Sequence, residues 1–493
     1  MNIIPPTILV CFICLVPMAA EAQNFIMNPT IPVSVGRNPE SLTRGDFNRD
    51  GSDDLAIVNS GSDDITILLG NGNGTFQAGY SIGVGESPMC VVTGDMNGDH
   101  KLDLVVAASG SDTVFLLLGK GNGWFHPPKA YSAGKGPTFL SLMDMDGDGD
   151  LDVFVVNSGR FGHYTPFSLS LNWNNGEGNL QRVTHFDDWG EDGMFPTGVY
   201  PHDFNHDGFS DVAVTWSQPS WRTPNGLVTI MEGSTTGTFS LAQKISPGFT
   251  LSSINGADLD NDQDIDLIVT SMFSDELLVL RQGEQGQFQK AGRYKVGFSP
   301  LASAIEDLNR DGLMDIVVTN RASNSVSLLM GAGSMSFTSS SHFAVGLTPT
   351  SQILLDVDQD GAPDIMVANS GSNSVSVLLT GSAGVPSVVL STDSLNFGIL
   401  GQGASQETKT LSLSNVGLGP LIISKVIVNG DQGSLFEVSN QECIGQTLAT
   451  GKVCHVSITF QSGTPGAHFA EMKIWDNAPG GPRIVTLSGT VEG

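Results

Sequence analysis

Seven copies of one acidic loop recur along the chain, and they constrain its fold more than any other feature. The first copy begins at Asp46 and reads Asp-Phe-Asn-Arg-Asp-Gly-Ser-Asp-Asp. The other copies begin at Asp95, Asp144, Asp203, Asp258, Asp307 and Asp356, after intervals of 49, 49, 59, 55, 49 and 49 residues. This regular period indicates one supersecondary unit repeated seven times, which is typical of a propeller.

Four positions of the nine-residue loop carry side-chain oxygens in every copy, and position 1 is always aspartate, at the residues named above. Position 3 is Asn48, Asn97, Asp146, Asn205, Asp260, Asn309 and Asp358. Position 5 is Asp50, Asp99, Asp148, Asp207, Asp262, Asp311 and Asp360. Position 9 is Asp54, Asp103, Asp152, Asp211, Asp266, Asp315 and Asp364.

Position 7, in contrast, varies freely: it is Ser52, Lys101, Asp150, Phe209, Asp264, Leu313 and Ala362. Such freedom is what a main-chain carbonyl ligand allows, because the side chain then takes no part in binding. Hard oxygen ligands at alternate positions suit Ca²⁺, whereas Mg²⁺ prefers fewer, stricter ligands and retains its waters. We therefore expect up to seven Ca²⁺ ions, one in each loop.

The EF-hand is the nearest alternative among calcium-binding loops. It requires a bidentate glutamate at position 12 and flanking helices. Position 12 of the first loop is Ile57, which lies in an apolar run typical of a strand. The EF-hand is therefore excluded.

The residues around each loop predict four short strands. In the first unit, strands are expected at residues 39–46, 55–58 and 65–69 and in a segment that ends near residue 84. Only two further strands follow the last loop before Gly381. Residues 24–35 resemble residues 76–84 and are expected to complete blade 7, closing the ring and covering an exposed sheet edge.

The glycine-rich segment at residues 69–76 and the acidic loop resemble FG-GAP/VCBS repeats, the design of the integrin α-subunit headpiece. The resemblance covers residues 24–382. It implies a calcium-bearing, seven-bladed β-propeller used in adhesion or ligand binding. Some propellers of this family are lectins, and others are domains of polysaccharide lyases.

Residues 387–493 lack the acidic loop and alternate apolar and polar residues, as in a β-sandwich. Motifs at residues 395–398, 415–417 and 487–489 resemble a Hydin-type (ASH, choice-of-anchor D) immunoglobulin-like domain, which implies a structural or surface-attachment module. Cys443 and Cys454 are expected to form a disulfide, and Cys90 to be a buried thiol. The predicted fold class is therefore all-β: a propeller followed by an immunoglobulin-like sandwich.

Residues 1–22 resemble a secretory signal peptide, with an apolar core at 8–16 and a small-x-small cleavage site at 20–22. We expect a secreted or cell-surface protein without a membrane span. The net charge is −29, and 27 of the 51 acidic residues lie in the seven loops. Seven Ca²⁺ ions would leave about −15, which still disfavours nucleic acid as a partner.

Long insertions are expected on the face opposite the acidic loops, and they carry an aromatic patch assigned to ligand binding: Tyr164, Trp189, Trp216 and Trp221. The alternative is that these rings only pack the insertions together. Carboxylates at 187–192 could serve a lyase or glycosidase, but the scattered histidines show no catalytic arrangement, and we expect no enzyme. The expected function is adhesion or protein interaction; the alternative is carbohydrate recognition, as a lectin or an accessory to polysaccharide processing. The expected partner is an extracellular protein or glycan.

Position 6 predicts that loops 2 and 5 bind calcium more weakly than the other five. The chain must turn sharply there, and five loops place glycine at this position, whereas loops 2 and 5 have His100 and Gln263. Site-by-site occupancy under limiting calcium measures the difference. Equal occupancy of all seven loops would contradict the prediction.

Overall fold

The structure is a computed structural model. It describes residues 31–159, 167–186, 193–218, 225–234, 237–380, 386–401, 406–417, 421–430, 433–441, 443–445, 447–449, 451–461, 465–476, 478 and 482–492. Apart from two 3-10 turns, at Glu284–Gly286 and Gly433–Leu435, all elements in these ranges are strands, which confirms the predicted all-β fold. None of the helical turns described is long and apolar enough to cross a membrane. The predicted signal peptide lies outside the described residues.

The propeller consists of seven four-stranded antiparallel sheets. The first strand, β1 (Ile31–Ser34), belongs to the last blade. Blade 1 contains β2 (Pro39–Gly45), β3 (Asp54–Asn59), β4 (Asp64–Leu68) and β5 (Tyr80–Gly83). Blade 2 contains β6 (Pro88–Gly94), β7 (Asp103–Ala108), β8 (Thr113–Leu117) and β9 (Lys129–Ser132). Blade 3 contains β10 (Pro137–Met143), β11 (Asp152–Asn157), β12 (Ser168–Trp173) and β13 (Arg182–Phe186).

Blades 4 to 7 repeat this arrangement. Blade 4 contains β14 (Phe195–His202), β15 (Asp211–Ser217), β16 (Gly226–Glu232) and β17 (Ser240–Ile245). Blade 5 contains β18 (Ser253–Ala257), β19 (Asp266–Ser271), β20 (Glu276–Gln282) and β21 (Phe288–Lys295). Blade 6 contains β22 (Pro300–Glu306), β23 (Asp315–Asn320), β24 (Ser325–Leu329) and β25 (Ser341–Ala344). Blade 7 contains β26 (Pro349–Leu355), β27 (Asp364–Asn369), β28 (Ser374–Leu378) and β1.

Strand β1 closes the ring as the outermost strand of blade 7. It pairs antiparallel with β28, with Ile31 opposite Val377. The first strands of neighbouring blades contact one another around the ring, and β26 contacts β2 to complete it. The sequence-based prediction of closure is thus confirmed for residues 31–34, while residues 24–30 lie outside the described part of the chain.

The propeller core is divided into seven apolar clusters, each lying between two neighbouring blades. The second strand of each blade is packed on both faces; in β3, for example, residues 55–58 are fully buried. A strand that is buried on both faces reads as a continuous apolar run, which explains the runs that leave each acidic loop. Since every blade buries its sides against its two neighbours, closure of the ring completes the core of the propeller.

The carboxy-terminal domain is a sandwich of two sheets. One sheet contains β29 (Val388–Leu390), β31 (Gln406–Asn415), β35 (Val453–Gln461) and β33 (Phe436–Gln441). The other contains β30 (Ser394–Leu400), β37 (Arg483–Val491), β36 (Gly466–Asp476), β32 (Leu421–Asn429) and β34 (Thr447–Leu448). The predicted disulfide between Cys443 and Cys454 is present in the sandwich core, and Cys90 is a buried thiol on β6.

Candidate metal centres

The aspartate at position 9 fastens each acidic loop to its blade. In loop 1, Asp54 accepts the backbone N–H of Phe47 through Oδ2 and that of Gly70 through Oδ1, both at 2.8 Å. The same pair of bonds recurs in all seven loops, at 2.8–3.2 Å from the position-2 amide and 2.7–2.8 Å from the amide at the end of the third strand. These carboxylates are at most 2% exposed. They therefore have a structural role beside the predicted ligand role, since each oxygen retains a further lone pair.

The aspartates at positions 1 and 5 shape the loop itself. The position-1 Oδ2 accepts the backbone N–H of position 6 at 2.7–3.0 Å in every loop. The position-5 Oδ1 accepts the N–H of position 7 at 2.8–3.0 Å. Position 6 has a left-handed backbone throughout, and His100 (φ 59°) and Gln263 (φ 75°) adopt it where the other loops have glycine. The sharp turn predicted from the glycines is therefore confirmed.

Position 4 also has a left-handed backbone in all seven loops, with φ between 59° and 79°. Its side chain reaches the next loop around the ring in several blades. Arg49 donates to the carbonyl of His100, and His206 Nε2 lies 2.9 Å from Asp264 Oδ1. This link between loops is not evident from sequence. Gly98, Gly147 and Asn261 indicate only the left-handed backbone, because these residue types tolerate it.

In blades 1 to 3, the glycine-rich segment joins the blade to the preceding acidic loop. Gly123 donates its N–H to the carbonyl of Phe47 at 2.9 Å, and Gly74 donates to the carbonyl of Val357 at 3.0 Å. Gly123 has φ 79°, and a Cβ there would lie 3.1 Å from the side chain of Leu69. The residue at position 2 of one loop is thus held by the next blade as well as by its own.

Carboxylate oxygens converge most closely in the loops that have aspartate at position 3. Oxygens of Asp144, Asp146 and Asp152 lie within 4.8 Å of one another in loop 3. The same limit holds for Asp258, Asp260 and Asp262 in loop 5 and for Asp356, Asp358 and Asp360 in loop 7. Within the described part of the chain, Asp260 Oδ1 and Asp356 Oδ1 are buried without a hydrogen-bond partner. A cluster of convergent anionic oxygens with unpaired atoms fits a hard divalent cation such as Ca²⁺.

Burial makes these carboxylates costly to ionise. It raises the pKa of the position-9 groups to about 6 at Asp54, Asp103, Asp211, Asp266 and Asp315, to about 7 at Asp152, and well above the ordinary value at Asp364. Neighbouring carboxylate charges act in the same direction, and the backbone hydrogen bonds oppose them. Burial likewise raises the pKa of Asp358 to about 6, with repulsion from Asp360 as the next cause. A bound cation would offset both effects, because it favours the ionised form.

Loop 7 also contacts the carboxy-terminal domain. Ser387 Oγ donates to Asp358 Oδ2 at 3.0 Å, and Asp358 is 7% exposed. Val416 of the sandwich packs against the apolar cluster between blades 7 and 1. The seventh loop is therefore both a candidate metal centre and part of the contact between the two domains.

Three residues of the predicted aromatic patch, Tyr164, Trp189 and Trp221, lie outside the described residues. The assignment of Trp216 to that patch needs correction. Trp216 lies on β15 with 4% exposure, and its indole N–H donates to Thr229 Oγ1 at 2.9 Å. Every residue of β15 is buried, and the indole of Trp216 points into the core between blades 3 and 4. It therefore has no exposed face for a ligand.

Comparison with family models agrees with this architecture. Residues 46–106, 95–155, 144–214 and 307–367 match the FG-GAP-like repeat, and residues 386–490 match the HYDIN/CFA65/VesB-like, Ig-like domain. The chain therefore joins FG-GAP-like repeats to a HYDIN/CFA65/VesB-like Ig-like domain, which confirms the resemblance drawn from its motifs. Residues 215–306, which include loop 5, lie between the matched repeats. The comparison with curated proteins gives no match.

Several solved structures resemble the fold at low sequence identity. BBS1N in complex with ARL6DN is 10% identical, with a TM-score of 0.49 over 72% of this chain and 96% of that chain. The Dos1 propeller is 10% identical, with a TM-score of 0.44 over 71% and 95%. The periplasmic gluconolactonase of Pseudomonas aeruginosa is 15% identical, with a TM-score of 0.45 over 68% and 89%.

The two kinds of loop aspartate should respond differently to calcium. In blade 6, Asp315→Asn places an amide donor against a backbone N–H in a fully buried site, so we expect a loss of about 1–3 kcal/mol of stability even in chelator, and a further loss in calcium because Asp315 is also a predicted ligand. The matched variant Asp311→Asn keeps an acceptor for the amide of Leu313 and should lose stability only in calcium. Denaturant unfolding in both conditions measures this. A loss for Asp311→Asn in chelator, or none for Asp315→Asn, would refute the division of roles.

Proposed function

We propose that this protein is a secreted, calcium-stabilised propeller that acts as a non-catalytic adhesion or protein-interaction module. The convergence of carboxylate oxygens within 4.8 Å in loops 3, 5 and 7 is the observation that carries the calcium assignment. Extracellular calcium is abundant, and the predicted signal peptide and the disulfide between Cys443 and Cys454 support export.

Calcium would act here as a structural ion rather than a reactive one. Each acidic loop joins the first and second strands of a blade, and the first strands form the inner ring. The aspartates at positions 1, 3, 5 and 9 and the carbonyl at position 7 would hold the ion. By neutralising carboxylates that burial and mutual repulsion disfavour, it would stabilise the loops that link successive blades.

A protein-binding role is supported by exposed apolar side chains on the face opposite the acidic loops. Phe273, Phe298 and Leu347 are 60%, 67% and 56% exposed, and they lie on turns and links of blades 5 to 7. The links into blades 2 and 6 both read Val-Gly-x-Ser-Pro, and the variable residue is Glu86 in the first and Phe298 in the second. Large exposed apolar residues on one face of a propeller are suited to a contact with another protein.

Carbohydrate recognition is the second candidate function, and one exposed ring favours it. Trp124 is 56% exposed and stacks on Tyr80, with ring centroids 4.2 Å apart. An indole supported from one side and open on the other is suited to contact the apolar face of a sugar ring.

Thermal unfolding of the mature chain should depend strongly on calcium. A site adds about 2.7 kcal/mol of stability when free calcium is about a hundredfold above its dissociation constant. We therefore expect a large rise in Tm between chelator and millimolar calcium, and a smaller rise with the same concentration of magnesium because of its stricter coordination. Identical melting in chelator and calcium, with no bound metal, would disprove the calcium assignment.

Binding screens separate the two candidate functions. The mature chain is tested against extracellular proteins and a glycan array, together with the variants F298E/L347E and W124A. A protein ligand lost only in F298E/L347E supports protein interaction, and a glycan lost only in W124A supports carbohydrate recognition. Both changes are at exposed side chains, so Tm should be unchanged. Binding that neither variant alters would place the ligand site elsewhere and contradict both surface assignments.

A further inference from the structure

Loop 5 holds a positive charge that comes from the protein itself. Arg281, on β20, places Nη2 2.9 Å from Asp260 Oδ2 and 3.0 Å from Asp262 Oδ2. These aspartates are positions 3 and 5 of the loop, two of the predicted calcium ligands. One guanidinium nitrogen thus bridges two carboxylates of the cluster where a cation would be expected.

The other six blades have no basic residue at this position. In every blade, the position-9 Oδ1 accepts a backbone N–H at the end of the third strand. The residue equivalent to Arg281 is the one immediately before that N–H. These residues are Leu69, Leu118, Trp173, Glu232, Met330 and Leu379. In the blades with leucine, the side chain lies against a glycine of the next blade; Leu69, for example, lies against Gly123. Blade 5 instead has Arg281, which reaches its own acidic loop.

We propose that Arg281 is the built-in counter-charge of loop 5 and lowers the affinity of this loop for divalent cations, so that blade 5 holds its shape without metal. The inference rests on the proposed calcium binding of the other loops and identifies the residue that sets one site apart from them. It differs from the effect of Gln263, which acts through the backbone turn at position 6.

The competition follows from charge and geometry. A cation at the centre of loop 5 would need the oxygens of Asp260 and Asp262 that Arg281 now occupies, and it would lie beside a fixed positive charge. Arg281 is 52% exposed and is not enclosed by the core, so it can be displaced, but only at the cost of two charge-assisted hydrogen bonds. Loop 5 should therefore fill last as calcium rises.

The test is the number of calcium ions bound by the full mature chain when Arg281 is replaced by leucine, the residue of blades 1, 2 and 7. Calorimetric titration with CaCl₂ and native mass spectrometry should show that R281L gains one ion per chain, or that the weakest site tightens at least about tenfold, since ligand charge tunes calcium affinity over orders of magnitude. In chelator, R281L should melt at a lower temperature than the wild type, because Asp260 and Asp262 are then left without a counter-charge.

A matched control and a reciprocal variant exclude effects of net charge and of folding. Arg293 lies on the next strand of the same blade, is 46% exposed and pairs with Glu276 away from the loop, so R293L changes the net charge equally and should leave the calcium count unchanged. R281M, which introduces the residue of blade 6, should act as R281L does. Conversely, M330R places a guanidinium beside loop 6 and should weaken one site that the wild type fills.

The outcomes distinguish this inference from the proposed function. A wild-type chain that binds no calcium overturns the proposed function, and this inference with it. A wild-type chain that binds calcium, with the same count and affinities in R281L and R281M, overturns the role of Arg281 alone. A gain in R293L as large as in R281L would overturn it as well, since the effect would then be one of net charge.

Discussion

The position-9 carboxylate is the contact on which the acidic loops and the blades both depend. One oxygen holds the amide at the second position of its own loop, and the other holds the amide at the end of the third strand. Three consecutive strands of each blade are therefore tied together at one buried point. Because a buried carboxylate without partners is costly, the two backbone hydrogen bonds explain how seven such charges can lie next to the core.

The acidic loops also link neighbouring blades on one face of the propeller. In blades 1 to 3, the glycine-rich segment donates a backbone N–H to the position-2 carbonyl of the preceding loop, as Gly123 does to Phe47. Side chains at position 4 add a further contact from one loop to the next, as between His206 and Asp264. A change in the conformation of one loop therefore affects two neighbouring blades. The conformation of the loops and the packing of the blades into a closed ring are coupled in this way.

The sequence predicts the parts of this structure that repeat and misses those that depend on neighbours. Seven loops in register were enough to predict the blades, the turn at position 6 and the closing strand, because each of these is a local pattern. Trp216 was placed wrongly, since an aromatic residue next to a long insertion cannot be distinguished from one at the end of a buried strand without the register of β15. The hydrogen bond from Gly70 to Asp54 and the ion pair between Arg281 and Asp260 join residues that are near in space but separate in sequence.

The charge of an acidic loop can be balanced in three ways. Burial raises the pKa of carboxyls such as Asp152 and Asp358, so protonation is one way, and the proposed divalent cation would be the second. Basic side chains are the third: Lys101 pairs with Asp99 at 2.7 Å in loop 2, and Arg281 bridges two aspartates in loop 5. These are the same two loops in which position 6 is not glycine. A loop with its own counter-charge would depend less on the proposed calcium ion, which would relate the two departures to each other.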